Sequence, residues 1–389
     1  MYRRFIFLGV VVVPTLTMIS RVSASPTVVQ ETTTAITISA ASSENVVSDE
    51  VWNDFKQRYN KTYSSELEEK SRRSILAGNK RDIDEHNAKY RKGELSFGLK
   101  INQFGDLTFA EYKEHMHSDN TTTVEPDIKR PLVGLKYNAT SFGPDWESAV
   151  GDRVDWRPFA VTPVQNQGLD CGSCWAFAAA GALEGQYYAL TGELTQLSAQ
   201  TLLDCTSVYG NSGCRGGSAT LSYQYVVLDR RAEGLETAEA RPYLGHAEDC
   251  PPEARVNFTT STTTTTKEET VADGDDEFYN HTQPSYVLVP EVYLRHAVAT
   301  VGPIASAIDA LHNSFRFYSE GVFFESECTE ALDHAVLIVG YGSDPRHGDY
   351  WLVKNSWGTD WGESGYFRIK RDDKNHCGIA TEATYPLVG

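Results

Sequence analysis

The chain has 389 residues and a formal net charge of −18, long enough for one large core or for a domain with an accessory region. Residues 150–389 hold 16 Lys and Arg against 33 Asp and Glu, so nearly all the acidity lies there. This distribution lacks the basic surface that nucleic-acid-binding proteins present. We therefore expect no nucleic-acid partner.

Residues 1–24 have the layout of a secretory signal peptide. Arg3 and Arg4 precede an apolar run, and Val22-Ser23-Ala24 offers a small-residue cleavage site. A membrane anchor is the alternative, but the run is short for a span and Pro14 interrupts it. We expect cleavage and no membrane association afterwards. Residues 25–48 are rich in Thr, Ser and Ala, which predicts a disordered linker.

Two helical patterns follow. Trp52, Phe55 and Tyr59 recur at helical spacing, and a longer pattern runs from about residue 65 to 91. The longer pattern places six residues, spaced 4, 4, 3, 4 and 4, on one helix face: Glu68, Arg72, Leu76, Asn79, Ile83 and Asn87. Such a face is by itself an ordinary packing surface.

Cys174 stands immediately before a long apolar, Ala-rich run at 175–190, which predicts a buried helix that ends at Thr191-Gly192. Free backbone N–H groups at a helix N-terminus favour the thiolate form of such a cysteine. Cys171-x-x-Cys174 also fits half a zinc site or a redox pair. The sequence offers neither a second close ligand pair nor a thioredoxin-like context, so we expect no metal and no cofactor.

The rest of the chain predicts a helix at 197–205, with Ser198 as N-cap, and strands at 304–308, 335–341, 350–355 and 365–370. A helical first half and a strand-rich second half indicate an α+β domain of two lobes. Between them, residues 251–285 are polar and include a Thr-rich run at 259–266. This stretch predicts a solvated surface insertion, which we expect to carry O-linked sugar or to be nicked.

Seven cysteines, all after residue 170, predict three disulfides and one reactive thiol in an oxidising compartment. Five Asn-x-Ser/Thr sequons are candidate glycosylation sites. They are Asn60, Asn120, Asn138, Asn257 and Asn280.

His334 is the one of ten histidines at the head of an apolar strand, and Asn355 lies in Trp351-Leu352-Val353-Lys354-Asn355-Ser356-Trp357. Together with Gln167-Gly168, Cys171-Gly172-Ser173-Cys174-Trp175, the six-residue helix face, and Asn102, Phe104 and Asp106, these segments resemble papain-like cysteine proteases of the cathepsin L type. The resemblance extends from about Trp52 to Gly389. A strand histidine alone is more often structural, so this family match is what indicates a catalytic role.

The resemblance implies a papain-like two-lobed fold, with a helical lobe and an antiparallel barrel-like sheet lobe, preceded by a helical inhibitory propeptide. The propeptide would be residues 49–149, with a cleft-binding tail at 118–148, and the protease domain would be residues 150–389. It implies a Cys174 thiolate, a His334 imidazolium, Asn355 as the orienting residue and Gln167 as an oxyanion donor. Leu169-Asp170 stand where relatives usually have one residue, and we expect a bulge to absorb the extra residue.

Further roles follow from the same resemblance. Gly217 would pair its backbone with the substrate, and Trp357 would shield the histidine–asparagine bond. The other substrate-binding residues would be Ser218, Ala219, Ala307, Leu332, Asp333, Ala335 and Glu382. The implied disulfides are Cys171–Cys214, Cys205–Cys250 and Cys328–Cys377. Glu382 would accept arginine at P2, the residue one before that whose bond is cut, unless its side chain turns to solvent.

The predicted function is that of a monomeric zymogen of a cysteine endopeptidase, active at acidic pH in a lysosome or in an extracellular or digestive lumen. Its partners would be protein or peptide substrates and its own propeptide as an intramolecular inhibitor. Two alternatives stay open: a catalytically silent, silicatein-like relative, and a released propeptide that inhibits other proteases. The silent reading is favoured only by the extra residue near Gln167.

Overall fold

The structure, a computed structural model, describes residues 47–116, 134–228, 235–251, 284–371 and 374–388. The predicted signal peptide, nearly all of the predicted linker, most of the Thr-rich insertion and sequons Asn120, Asn257 and Asn280 lie outside these residues. So do the first residues of the predicted cleft-binding tail. Asn60 and Asn138 are described, and both are exposed.

Eight α-helices and ten strands occur in the described ranges. The helices are α1 (Asp49–Arg58), α2 (Glu66–Arg91), α3 (Phe109–Met116), α4 (Cys174–Thr191), α5 (Ala199–Cys205), α6 (Ala219–Leu228), α7 (Glu291–Thr300) and α8 (Asn313–Arg316). The strands are β1 (Phe97–Leu99), β2 (Gly134–Lys136), β3 (Val154–Asp155), β4 (Tyr286–Leu288), β5 (Ile304–Ile308), β6 (Tyr318–Phe323), β7 (His334–Asp344), β8 (Gly348–Lys354), β9 (Tyr366–Lys370) and β10 (Thr384–Pro386).

Residues 47–116 form a helical N-terminal region. Ser48 and Ser65 cap α1 and α2 through their side chains, which accept backbone N–H groups in the first turn. Order begins before the predicted linker ends, because Val47 is buried against the core that α1 and α2 share.

The predicted face of α2 packs on the segment that follows it. Arg72 donates to Glu111 at 2.7 Å, and Asn79 donates to the Gly105 and Leu107 carbonyls at 2.8 and 3.0 Å. Asn87 exchanges two 2.8 Å hydrogen bonds with the backbone of Leu99. Long-range hydrogen bonds from one helix face hold an otherwise irregular segment in one conformation.

Helices α4, α5 and α6 form the helical lobe. The run from Trp175 to Gly185 is almost wholly buried, and Gly192, at φ 75°, ends α4 in the left-handed conformation that glycine favours. Ser198 caps α5 as predicted, by accepting the Thr201 N–H at 3.1 Å. The face of α4 that meets the sheet carries Gly181, where an added Cβ would lie 2.6 Å from Leu337.

The strands form the sheet lobe, in the order β1-β6-β9-β8-β7-β5-β10-β4-β2, with β3 also on β7. Among these pairings β6–β9 and β2–β4 are parallel and the others antiparallel. Strand β5 occupies its predicted residues, β7 extends beyond both predicted ends, and β8 begins two residues earlier and ends one residue earlier than predicted. The α+β, two-lobed architecture is confirmed, and β7 presents its first residue, His334, where the lobes meet.

Candidate active site

Cys174 is the first residue of α4, at the boundary between the two lobes. Its Sγ accepts the backbone N–H of Ala335, on β7, at 3.4 Å. All seven cysteines are described, and Cys174 is the one without a disulfide. The other six pair as Cys171–Cys214, Cys205–Cys250 and Cys328–Cys377, the pairs that the resemblance implies.

His334 is 1% exposed, and its Nε2 lies 2.8 Å from Oδ1 of Asn355. The ring of Trp357 covers the imidazole, with 4.6 Å between the ring centroids. Strand β7 supplies the histidine, and the end of β8 leads directly into the asparagine. Adjacent antiparallel strands therefore bring together two residues that are 21 positions apart.

The tautomer of His334 follows from the hydrogen bonds around Asn355. The backbone N–H of Ser356 donates to the same Asn355 Oδ1 at 2.8 Å. An atom that accepts a backbone N–H is the amide oxygen, so His334 Nε2 must be the donor. The neutral ring then has its lone pair on Nδ1, a buried atom without a hydrogen-bond partner among the described residues.

Burial opposes the charged form of each reactive group in this structure. It raises the pKa of the Cys174 thiol to about 11, although the N–H groups of Ala335 and Trp175 oppose the shift. It lowers the pKa of His334 to about 4, against the hydrogen bond to Asn355. The thiolate–imidazolium pair expected from the sequence is thus not the form that this buried arrangement favours.

Gln167 is buried beside Cys174 despite the extra residue that follows it. Its side-chain amide donates to the Cys171 carbonyl at 3.2 Å and accepts the Ser356 hydroxyl at 2.6 Å. Between Gln167 and Cys171 the chain turns at Gly168 (φ 78°), and Asp170 stays exposed. The additional residue is therefore accommodated in a surface bend, and one amide N–H of Gln167 stays unused.

The resemblance implies that Gln167 is an oxyanion donor, so replacing it with alanine is expected to lower kcat by a factor of about 10²–10³, the usual effect of losing one such donor. KM should change much less, because the donor acts on the charge of the transition state. Steady-state kinetics of the processed protein checks this, with Gln196→Ala as a matched control outside the cleft. A change of less than threefold in kcat would show that the bend has removed Gln167 from the reaction.

A cavity of about 170 Å³ separates the lobes. Most of the predicted site residues line it: Gln167, Cys174, Gly217, Ala307, Leu332, Asp333, His334, Ala335 and Glu382. Asn355 and Trp357 lie behind His334 instead. At Gly217 an added Cβ would lie 2.4 Å from Asn211 Oδ1, so a side chain there would displace its neighbours.

Ser218 and Ala219 are not among the residues that line this cavity. The Ser218 hydroxyl is within 2.8 Å of Thr220 Oγ1 and accepts the Thr220 N–H at 3.2 Å, so it caps α6. Ala219 is the first residue of α6 and packs in the helical lobe.

The N-terminal region covers the other side of the site. Phe104 stacks edge-on against Trp357 at 5.1 Å, and the hydroxyl of the fully buried Tyr112 donates to the Ala310 carbonyl at 3.0 Å. Helix α3 then ends at His115 and Met116, which line the cavity together with Cys174. Strand β1 anchors this cover by pairing with β6.

Two supporting residues escaped the sequence analysis. Tyr243 donates its hydroxyl to the Gln167 carbonyl at 2.9 Å and lies 2.6 Å from the hydroxyl of Ser173, just before Cys174. Ser356 positions the amides of both Gln167 and Asn355. Ser356 could have been found from its place beside Asn355, whereas no local motif marks Tyr243.

Comparison with known proteins agrees with this site. Residues 150–387 match the family model described as papain family cysteine protease, and residues 52–112 match the cathepsin propeptide inhibitor domain. The chain is 42% identical over 345 residues to a cathepsin L-like peptidase of Aedes aegypti. The aligned region covers 87% of this chain and 93% of that protein. It is 43% identical over 341 residues to a cathepsin L-like protein of Caenorhabditis elegans (87% and 91%).

The chain is also similar to two solved structures of procathepsins. Digestive procathepsin L 3 of the Tenebrio molitor larval midgut is 37% identical, with a TM-score of 0.70 over 87% of this chain and 98% of that one. Procathepsin L2 of the same source is 34% identical, with a TM-score of 0.71 over 87% and 99%.

A free cysteine, a histidine and an asparagine meeting between a helical lobe and a sheet lobe are typical of a thiol protease, and the chain belongs to the papain family of cysteine proteases. Within that family it is cathepsin L-like, and it is a zymogen whose propeptide contains an inhibitor domain. The N-terminal region, residues 47–116, is therefore called the propeptide below. No helix among the described residues is long and apolar enough to cross a membrane.

Proposed function

We propose that the protein, once its propeptide is removed, hydrolyses internal peptide bonds through an acyl-enzyme on Cys174. The observation that carries this proposal is the unpartnered Nδ1 of His334, which lies in the same cavity as the only free thiol and has its proton fixed on Nε2. A base with a free lone pair beside a nucleophile is the arrangement that acyl transfer requires.

The mechanism assigns one step to each group. His334 Nδ1 takes the Cys174 proton, the sulfur attacks the scissile carbonyl carbon, and the carbonyl oxygen becomes the oxyanion. The spare amide N–H of Gln167 and the backbone N–H of Cys174 stabilise that oxyanion. His334 returns the proton to the leaving amine, and water then cleaves the thioester by the same route. Asn355 keeps the imidazole in place throughout.

Removal of the propeptide is what changes the charges of the pair. Opening the cleft admits water, which lowers the pKa of Cys174 from about 11 and raises that of His334 from about 4. The two shifts bring the groups toward the ion pair predicted from the sequence. Inhibition is then both steric and electrostatic.

Acid is proposed to favour opening through His334 and Glu111. Between its ordinary pKa of about 6.5 and its buried pKa of about 4, His334 binds a proton only in the open form, so the closed form loses stability as pH falls. Burial acts to raise the pKa of Glu111, but the hydrogen bonds from Thr108 and the charge of Arg72 outweigh it, so the pKa lies below its ordinary value. Protonation of Glu111 in acid therefore also weakens this contact. Asp333 opposes them, because burial raises its pKa to about 7 and the closed form holds its proton.

The proposed domain boundaries and routing follow the sequence analysis. A signal peptide at 1–24 would direct the chain into the secretory pathway, and the mature enzyme would begin near residue 150, where the family match starts. Its destination would be a lysosome or an extracellular or digestive lumen, where it would act as a monomer without a nucleic-acid partner. Two similar proteins of the Tenebrio molitor larval midgut are digestive procathepsins, which supports this routing.

Glu382 is proposed to select the substrate residue at P2. Its exposed carboxylate lines the cavity with Ala307 and Leu332, and it forms no ion pair to another described residue. A carboxylate at the end of an apolar pocket pairs well with a guanidinium. The enzyme should therefore accept Arg at P2 as well as Phe or Leu.

Replacing Glu382 with alanine should lower kcat/KM for peptides with Arg at P2 about tenfold and leave those with Phe at P2 nearly unchanged. A fluorogenic peptide pair with the processed protein measures both values. Glu327→Ala, which removes an exposed carboxylate elsewhere, is the control. Unchanged selectivity would refute the role of Glu382, whereas failure to cleave any peptide would refute the proposed protease function.

A further inference from the structure

Arg316 is a buried cation that the mechanism above does not use. Its side chain is 0% exposed, yet no carboxylate forms an ion pair with it among the described residues. Nη2 donates to the carbonyl of the propeptide residue Leu107 at 2.9 Å, and Nε and Nη1 have no hydrogen-bond partner there. Two unpaired guanidinium nitrogens inside a protein cost free energy, so a partner that reaches them in another state of the protein would bind favourably.

The propeptide supplies the hydrogen-bond acceptor and one of the two aromatic rings beside this guanidinium. The ring of Tyr112 lies 5.5 Å from it, and the enzyme contributes the ring of Phe317 at 4.1 Å. Burial lowers the pKa of Arg316 to about 10, so the side chain keeps its charge at neutral and acidic pH. When the propeptide leaves, Leu107 and Tyr112 go with it, and the charge faces solvent without a protein partner.

The position of Arg316 relative to the catalytic pair defines which part of a substrate would meet it. Its carbonyl accepts the Trp361 indole N–H at 3.1 Å, and Trp361 packs 5.1 Å from Trp357, which covers His334. Because His334 protonates the leaving amine, the chain beyond the scissile bond leaves past this side of the site. Gly217 and Glu382 line the cavity with Cys174, whereas Arg316 does not, and the proposed function assigns these two residues to the acyl portion.

We propose that Arg316 is a specificity residue that binds a carboxylate on the leaving-group side of the substrate, in a subsite that the propeptide closes with Leu107 and Tyr112. The inference rests on the proposed protease function. The carboxylate has two possible sources, an Asp or Glu side chain within about three residues after the scissile bond, or the C-terminal carboxylate of a short substrate. A guanidinium suits either one, because its N–H fork matches the two carboxylate oxygens.

The test uses the protein after removal of its propeptide and three internally quenched peptides that are identical up to the scissile bond. One has a neutral leaving segment with an amidated C-terminus, one has Glu in that segment with an amidated C-terminus, and one is neutral with a free C-terminal carboxylate. We expect kcat/KM for one of the acidic peptides to exceed that for the neutral amide about tenfold at low salt. That preference should shrink as ionic strength rises.

Arg316→Leu should abolish the preference, and Arg316→Lys should retain a part of it, because lysine keeps the charge without the fork. Epoxide titration of Cys174 corrects every rate for the fraction of folded enzyme. Equal preference in wild type and Arg316→Leu, or no preference in wild type at any salt concentration, overturns the inference while the protease function stands. If neither variant folds, the wild type alone tests the inference. A preference for an acidic peptide that shrinks as ionic strength rises supports it, and the absence of that preference overturns it. Failure of wild type to cleave even the neutral peptide overturns the proposed function instead.

Discussion

Cys174→Ala is expected to abolish peptide hydrolysis, with a loss of roughly 10⁴–10⁶ in kcat/KM. The reason is that Cys174 holds the only thiol outside a disulfide, and it lies in the cavity with the free Nδ1 of His334. No neighbouring side chain can replace a nucleophile at that position. The measurement is hydrolysis of a fluorogenic peptide after an aspartic protease has removed the propeptide from both proteins, because the variant would not process itself.

Cys174→Ser is the matched control for that experiment. It keeps the size and polarity of the side chain, so folding and propeptide docking should be unaffected, while a hydroxyl beside the same base is a far weaker nucleophile here. Thiol titration of the unreduced proteins should give one thiol in wild type and none in either variant. Residual hydrolysis of Cys174→Ala above about one thousandth of the wild-type rate would contradict the assignment of the nucleophile.

Tyr112→Ala should make the zymogen leaky. Tyr112 is fully buried and bonds to the Ala310 carbonyl, and its ring packs edge-on against Trp357 at 6.3 Å. Removing a buried aromatic side chain costs about 3–5 kcal/mol. If most of that loss falls on propeptide docking, the open form becomes roughly 10²–10³ times more populated at neutral pH.

The measurement is the initial rate of peptide hydrolysis by intact zymogen at neutral pH, before any processing appears on a gel. Tyr112→Phe removes only the hydroxyl and should have a small effect. Leu67→Ala changes a side chain that is 80% exposed on α2, and it should have none. If Tyr112→Ala is as silent as Leu67→Ala, the cleft is closed by some other part of the propeptide.

The sequence predicted an element correctly where a single local signal determined it. The Ala-rich run after Cys174 continues without proline to Thr191-Gly192, so both ends of α4 were predictable. Strand β5 follows Gly302-Pro303 and is apolar except for Ser306, and its residues were predicted as observed. The paired face of α2 was visible because a long helix repeats its contacts at regular spacing.

Other elements could not be predicted because tertiary packing decides them. Helix α7 has no counterpart among the predicted elements. Its β-branched and aromatic residues resemble a strand, but Leu294, Ala297 and Val298 share one buried helical face. The segment after residue 134 was expected to be a polar linker. Instead β2 joins the sheet and Tyr137 bonds to His296 at 2.8 Å, since two buried residues suffice to dock a polar stretch.

The site shows the same division. Cys174, His334 and Asn355 were identifiable from motifs, whereas the protonation state of the pair depends on how deeply the propeptide buries it. The substrate-binding roles of Ser218 and Ala219 stay predictions, whereas the capping of α6 by Ser218 is a local hydrogen-bond choice that the motifs did not indicate. The buried guanidinium of Arg316 had no sequence signal, because an arginine in a polar stretch is normally exposed.

The account depends on Cys174 being a neutral, protected thiol in the zymogen and an activated one after the propeptide leaves. Alkylation of Cys174 by iodoacetamide at pH 6, followed by mass spectrometry, measures this directly in intact and processed protein. The account predicts that the processed enzyme reacts at least about 10³ times faster, with the label on Cys174, because a thiol with a pKa near 11 is almost never ionised at that pH. Equal rates in the two forms, or a label elsewhere, would contradict it.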